Sequence, residues 1–218
     1  MNRKSYSINL SSFSELNLKV PFYFNDNDIN QILSKHKRWI KSTLSNINPD
    51  KIELINQIEN FVKLMYLGKV YDIKVDNSID FKGKKFKIVD DIFYLRNDKN
   101  IKSKVKSIYK ENLLNLLESI YSNVKVLHQF KIEKIKLSNA EKRWGSCSSN
   151  GNINISWRLM MAPADVIYSV FAHELVHTKH FNHSSGFYSL LYSVDDRNKE
   201  SDIWLKENNY ILKLYKKY

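Results

Sequence analysis

The stretch from Pro163 to Ser184 reads PADVIYSVFAHELVHTKHFNHS. A proline followed by a long apolar run is typical of a helix start, and the run predicts a buried helix from Ala164 to about Phe181. The last twelve residues of this stretch contain four of the six histidines in the chain. Histidine is therefore rare elsewhere, and this helix is the first place to look for ligand chemistry.

Two of these histidines, His173 and His177, lie four residues apart, one turn along the same helix face. Imidazoles at this spacing can reach one metal ion, and zinc with three protein ligands keeps its fourth position for water. Glu174, next to the first histidine, can take a proton from that water, whose pKa the metal lowers toward about 7. The pattern predicts a zinc-dependent hydrolase with Glu174 as the general base.

The third metal ligand has two candidates. Asn182 can end the helix in a left-handed conformation and turn His183 back toward the other two histidines, which favours His183. His180 competes, but it lies three residues beyond His177 on the same helix. Crowding there favours a supporting role for His180 behind the ligands.

Arg143 is the predicted partner of a negatively charged substrate group. It precedes Trp144 and Gly145, where a glycine lets the backbone approach a ligand closely, and its charge could hold a phosphate or a carboxylate in bidentate fashion. The alternative is an arginine that anchors its loop to an acid below the site. Lys142 and Arg158 are weaker candidates for the same anionic role.

Three other side chains have a functional and a structural interpretation. Cys147 is interpreted as a small buried residue, with a nucleophile or a fourth zinc ligand as the alternatives. Tyr188 and Tyr192 follow His183 and could stabilise an oxyanion, although 13 tyrosines make such a pairing easy to find.

The composition is that of a compact protein in a reducing compartment. A single cysteine cannot form an internal disulfide, no segment has the roughly 18 apolar residues that span a bilayer, and the first residues are polar. We expect a cytoplasmic protein without a membrane partner. The net charge of +12 makes nucleic acid or nucleotides plausible partners, and the densest basic stretch runs from Lys82 to Lys110. A solvated face is the competing interpretation of that stretch.

The pattern along the chain predicts an α+β fold. Residues 1–97 are interpreted as an N-terminal β-rich region with one long helix from Ile29 to Leu44, capped by Asp26 or Asn27, and residues 98–218 as a zincin-like metallohydrolase domain that includes a linking helix. The N-terminal region is expected to pack on the catalytic domain. The strand Asn152–Ser156 is expected to be half-buried and to act as an edge strand that pairs with an extended substrate.

Several motifs together resemble the YgjP-like family of metal-dependent hydrolases, whose zinc-peptidase-like domain is related to SprT-like proteins. They are Arg143-Trp144-Gly145-Ser146-Cys147-Ser148, Asn154-Ile155-Ser156-Trp157-Arg158-Leu159, Ala162-Pro163, His173-Glu174-Leu175-Val176-His177, and Asn182-His183-Ser184 followed by Phe187. A weaker likeness extends through the N-terminal half.

The resemblance implies that His173, His177 and His183 are metal ligands and that Glu174 is the catalytic acid and base. Family members are usually described as metallopeptidase-like, while pyrophosphohydrolysis of nucleoside triphosphates, with UTP as substrate, is also attributed within the family. Hydrolysis of a peptide or protein is therefore the leading hypothesis and UTP pyrophosphohydrolysis the alternative. A nucleic-acid-associated binding module is the second alternative, based on the positive charge.

Overall fold

The computed structural model describes residues 5–12, 15–45, 49–96 and 100–214. The chain divides into two compact units, residues 1–56 and 57–218. The first unit contains the antiparallel strands β1 (Ser7–Ser12) and β2 (Glu15–Lys19), followed by the helices α1 (Asp26–Lys35), α2 (Lys37–Ser45) and most of α3 (Pro49–Glu59). Helices and strands occur in both units, so the predicted α+β class is confirmed.

The predicted long helix of the N-terminal region is in fact two helices. The first begins at an Asn25 cap whose side chain accepts hydrogen bonds from Asn27 and Asp28, and it ends at His36, where ψ is 7°. The apolar period continues across this break, so the sequence pattern did not reveal it. The ring of His36 is hydrogen-bonded to the hydroxyl of Tyr6, with 3.1 Å between Nε2 and Oη.

The second unit begins with a four-stranded sheet. Its strands are β3 (Lys63–Tyr66), β4 (Lys69–Val75), β5 (Phe86–Val89) and β6 (Ile92–Leu95), in the order β3-β4-β6-β5. The β3–β4 and β5–β6 pairs are antiparallel hairpins and β4 pairs with β6 in parallel. The first hairpin turns at Leu67 and Gly68, and the second turns at Asp90 and Asp91.

The second sheet of this unit contains β7 (Lys134–Ser138), β8 (Gly145–Cys147) and β9 (Asn152–Ser156), in the order β7-β9-β8. The predicted edge position of Asn152–Ser156 is wrong, because β9 lies between a parallel β7 and an antiparallel β8. Its two isoleucines, Ile153 and Ile155, are fully buried. Alternation fixes which residues of a strand face the core, but it carries no information about how many neighbours the strand has.

Four helices complete the second unit. They are α4 (Ile101–Asn123), α5 (Ala164–Val176), α6 (Ser185–Val194) and α7 (Asn198–Leu212), with single 3₁₀ turns at Lys125–Gln129 and Trp157–Met161. The buried face of α4 repeats at helical spacing through Val105, Ile108, Tyr109, Leu113 and Leu117. Within the described residues no helix combines the length and apolarity needed to cross a bilayer.

The predicted division of the chain into residues 1–97 and 98–218 has its boundary in the segment 97–99, outside the described residues. That division, and the packing of the N-terminal region on the catalytic domain, stay predictions.

The turn between β3 and β4 is attached to the segment that leads into α5. Leu67 and Gly68 both have positive φ, 50° and 80°, which matches a two-residue hairpin turn. Their amides donate to the carbonyls of Met160 and Met161, each at 2.9 Å. A Cβ at Gly68 would lie 2.7 Å from Cγ of Pro163, so this turn is packed against the start of α5.

Replacement of Gly68 by alanine should therefore destabilise the protein more than the same replacement at Gly83. Both glycines have left-handed backbone, φ 80° and 76°, but nothing lies within 4 Å of a Cβ at Gly83. We expect Gly83→Ala to cost about 1 kcal/mol from backbone strain alone, and Gly68→Ala to cost at least about 1 kcal/mol more. Urea unfolding measures both, and equal losses would show that the contact with Pro163 contributes nothing.

Candidate metal centre

The helix α5 is buried on nearly all sides. Its apolar residues include Ile167, Phe171, Ala172, Leu175 and Val176, all fully buried. A helix that is apolar around its whole circumference belongs inside a protein, and α5 packs on α4, α6, α7 and the β8–β9 sheet. The polar residues of its last turn are therefore held in a rigid, largely dry environment.

Three imidazoles meet at the end of this helix. His173 lies in the last turn of α5, His177 caps its C-terminus, and His183 lies just before α6. One ring nitrogen from each lies within 4.8 Å of the other two, and Nε2 of His183 is 3.1 Å from Nε2 of His173. Among the described residues these three form the only cluster of histidine, cysteine or acidic side chains with this arrangement.

Contacts around the cluster orient its rings. Nδ1 of His177 donates to the backbone carbonyl of His180 at 2.9 Å, which leaves Nε2 as the nitrogen with a lone pair to offer. The ring of Phe187, fully buried in the first turn of α6, packs against all three imidazoles at centroid distances of 4.7–4.9 Å. Phe187 therefore forms an apolar backing for the cluster, a role that its sequence position alone did not indicate.

The segment between His177 and His183 differs from its prediction. The helix ends at Val176 and not near Phe181, because tight turns follow in which the amides of Thr178 and Lys179 donate to Leu175 and Val176. Asn182 does not have the predicted left-handed backbone. His183 is instead carried by a loop whose Lys179 donates to the Gln129 side chain at 3.1 Å and lies over the ring of Phe130.

His180, the competing candidate, lies outside the three-imidazole cluster. Its ring packs next to Gly186, where a Cβ would be 3.2 Å from the His180 ring. Its backbone carbonyl, and not its side chain, reaches the cluster through His177.

The carboxyl group of Glu174 lies below strand β8. Glu174 is only 7% exposed, and a Cβ added to Gly145 would overlap its carboxyl group. The backbone of β8 therefore passes directly over this carboxylate, which is possible only because residue 145 has no side chain. A close backbone approach at Gly145 was predicted, but toward a ligand and not toward Glu174.

Burial controls the protonation of both neighbouring groups. It raises the pKa of Glu174 to about 7, although the positive charge of Arg143 acts in the opposite direction. Burial, together with His177 and His183, lowers the pKa of His173 to about 4. At neutral pH His173 is thus an uncharged imidazole, the form that binds a metal.

A pocket of about 270 Å³ opens beside this group of residues. It is lined by Arg143, Trp144 and Gly145 on one side, by Ser169, Val170, His173 and Glu174 of α5, and by residues of α6 and α7 that include Tyr188, Leu191, Asp202 and Leu205. Arg143 is exposed at this pocket, in electrostatic range of Glu174. The structure therefore brings Arg143, Glu174 and His173 to one pocket, while their predicted roles stay predictions.

Arg158, one of the weaker anion-binding candidates, has a different position. Its guanidinium is 2% exposed and donates to the carbonyl of Asn139 at 2.9 Å and to the carboxylate of Glu141 at 3.2 Å. It does not line the pocket. Arg158 thus performs the loop-anchoring role that had been the alternative for Arg143. Lys142, the other weak candidate, is exposed and also does not line the pocket.

Cys147 and the two tyrosines also differ in their positions. Cys147 lies outside the cluster and its thiol donates to the carbonyl of Ser148, while burial and the charge of Glu174 raise the pKa of the thiol. This keeps the sulfur protonated and unreactive. Tyr188 lines the pocket and Tyr192 does not, and both are more than half exposed.

The residues present fit a divalent metal ion. For a tetrahedral ion with ligand distances of 2.0–2.1 Å, ligand nitrogens lie about 3.3–3.4 Å apart, close to the 3.1 Å between His173 and His183. Three histidine nitrogens are one fewer than the four protein ligands of a closed structural site, and His173 lines the pocket. This is the donor arrangement of a catalytic rather than a purely structural site.

The chain matches the model of a known protein family over residues 4–208. The description of the family model that matches residues 4–208 is "YgjP-like, metallopeptidase domain", so the chain is metallopeptidase-like and this class implies a divalent metal. The chain belongs to the YgjP-like family, as its motifs had indicated.

A solved structure, that of the metallopeptidase zymogen of Pyrococcus abyssi abylysin, is similar at 22% sequence identity. The alignment covers 44% of this chain and 93% of that chain, with a TM-score of 0.37. A search of curated proteins found no match.

Replacement of His183 by alanine should abolish stoichiometric metal binding, because two imidazoles remain where three converge. We expect about one divalent ion per chain in the wild type and below about a tenth of that in His183→Ala after dialysis, measured by elemental analysis. His180→Ala is the matched control, since its backbone carbonyl still accepts from His177. If His180→Ala lost the metal and His183→Ala retained it, the third ligand would be His180 and not His183.

Proposed function

We propose that the chain is a zinc-dependent metallopeptidase-like hydrolase that acts on peptides or proteins, with residues 57–218 containing a zincin-like catalytic domain. The observation that carries this proposal is the convergence of three imidazole nitrogens within 4.8 Å of one another beside a buried carboxylate, at a pocket of about 270 Å³. Histidine nitrogens suit zinc, and a position left open for water suits hydrolysis.

His173, His177 and His183 would hold the metal, which when bound polarises the scissile carbonyl and lowers the pKa of a water molecule. Glu174 takes a proton from the attacking water and passes it to the nitrogen of the leaving group. A carboxyl group can perform both steps only if its two protonation states are close in free energy. Its burial below β8 supports this role, because a carboxylate in water is a weaker base.

The open edge of β8 supports a peptide substrate. Within the described residues β8 pairs with β9 on one side only, so its other edge can pair with an extended chain. Gly145 lies at the start of this strand, directly over Glu174. A peptide added to β8 would bring its main chain past the catalytic carboxyl group, so the edge function expected of Asn152–Ser156 passes to Gly145–Cys147.

The charge of the pocket also favours a peptide over a nucleotide. Among the described residues that line it, Arg143 is the only lysine or arginine, and Glu174 and Asp202 are acidic. A triphosphate carries several negative charges and requires more than one cation in its site. A peptide carbonyl requires a single charge partner, and we propose that Arg143 holds a substrate carboxylate or the oxyanion that develops on the carbonyl.

UTP pyrophosphohydrolysis remains the second candidate because Arg143 is exposed at the pocket and could bind a phosphate in bidentate fashion. Both candidates use the same histidines and the same general base. They differ only in the substrate that Arg143 and the β8 edge select.

Replacement of Glu174 by glutamine should reduce hydrolysis of an unstructured protein by about 10²–10⁴-fold while the metal content is unchanged, because the general base is lost and the ligands are not. Glu207→Gln, an exposed exchange of the same kind on α7, is the control and should have wild-type activity. The same samples are assayed for pyrophosphate release from UTP. Pyrophosphate release that depends on Glu174, without protein cleavage, would show that the substrate is a nucleotide. A metal-loaded protein that is inactive in both assays would contradict the hydrolase proposal.

Replacement of Gly145 by alanine should reduce the rate of hydrolysis by at least about 10-fold, because the new methyl group displaces the Glu174 carboxyl group. The metal content should be unchanged, since the three atoms nearest to the new methyl group all belong to Glu174. Ser146→Ala, one residue further along β8, should retain most of the activity. If Gly145→Ala retains full activity, the contact between β8 and Glu174 is unimportant for the reaction.

A further inference from the structure

A second cavity of residues 57–218 shares no lining residue with the pocket at the metal centre. We call it the α4–β7 groove, and it is lined by Lys106, Lys110 and Glu111 of α4, Lys136 of β7, and Lys85 just before β5. Its volume of about 560 Å³ is twice that of the pocket beside Glu174. Five of its ten lining residues, Lys85 and those from Ser103 to Lys110, lie within the basic stretch from Lys82 to Lys110.

The groove carries an excess of positive charge. Four lysines line it, and Glu111 is the only acidic side chain among its described lining residues, which leaves a net charge of +3. The carboxylate of Glu111 is already paired with Lys85 at 2.5 Å. The other three lysines that line the groove are Lys106, Lys110 and Lys136.

The lysines of α4 are placed close together despite their like charges. Lys106 and Lys110 are one helical turn apart on the face that lines the groove, and the Lys106 ammonium lies over the ring of Trp157, 5.5 Å from its centroid. Like charges at this spacing repel each other weakly, and a bound anion would offset that repulsion. Burial, followed by the charges of Lys110 and Arg158, lowers the pKa of Lys106. Lys134, two residues before Lys136 on β7, is also exposed and extends the charge along the strand.

The other lining residues indicate which part of an anion is recognised. Ser103 and Ser107 add hydroxyl donors, and Leu114, Ile135 and Leu137 supply an apolar floor. No aromatic side chain is among the described lining residues, so stacking of bases is not provided for. The α4 segment from Ser103 to Leu114 runs for about 16 Å along the groove, which is longer than a single phosphate group.

We propose that the α4–β7 groove binds the phosphodiester backbone of a nucleic acid without sequence selection. Lysine ammonium groups and serine hydroxyls are the side chains that contact backbone phosphates, and an elongated basic groove fits a chain of phosphates better than an isolated one. The metal centre takes no part in this binding. Part of the positive charge of the chain thus lies at one specific binding site.

The test is fluorescence anisotropy of a labelled single strand of about 20 nucleotides with Lys110→Glu/Lys136→Glu. The control is Lys125→Glu/Lys206→Glu, two exposed lysines outside the groove lining. Each exchange lowers the net charge by two, so both variants go from +12 to +8. Thermal melting establishes that both are folded.

The groove variant should bind at least about 10-fold more weakly at 0.1 M salt, and its slope of log K against log salt should fall by about 1.4, two contacts of about 0.7 each. The control variant should stay within about 2-fold of the wild type, and Glu174→Gln should bind as the wild type does. Glu111→Gln should bind more tightly, because it removes the only acidic group of the groove lining.

Two results would overturn the proposal. Equal losses in the two double variants would mean that binding follows net charge and not the groove. Displacement of the strand by micromolar tripolyphosphate, with no gain in affinity when the strand is lengthened from about 6 to about 20 nucleotides, would identify a short polyphosphate as the ligand.

Discussion

The structure of the larger unit depends on the burial of α5. This helix is apolar on nearly every side, so it must be enclosed by other elements, and α4, α6, α7 and the β8–β9 sheet surround it. The same helix ends in His173, Glu174 and His177. Because its body is fixed by packing, its polar end is fixed as well, and the imidazoles are oriented before any ligand is present.

Enclosure of α5 also determines the state of its polar groups. Glu174 is covered by β8 at Gly145, and His173 is in contact with Phe187, so each is partly removed from water. Removal from water disfavours the charged form of each group. The absence of a side chain at Gly145 is therefore what allows β8 to cover the carboxyl group of Glu174.

The pocket beside Glu174 and the α4–β7 groove have opposite electrostatic character. The pocket is lined by one cation and two acids, whereas the groove is lined by four lysines and one acid. The two share no lining residue. Net charge alone is therefore a poor guide to the ligand of the pocket beside Glu174, because that pocket lacks the excess of positive charge that the whole chain has.

The elements with strong local patterns, and the pair of histidines that share a helix face, could be predicted from the amino-acid sequence. The spacing of His173 and His177 requires a shared face, because a helix places residues four apart on one side. Three features emerge only in the folded chain: β9 has two neighbours, the predicted helix Ile29–Leu44 breaks at His36, and His183 rather than His180 approaches the pair. These features depend on contacts between segments that are far apart in the sequence, such as the hydrogen bond from Lys179 to Gln129. The local periodicity of apolar residues contains no information about such contacts.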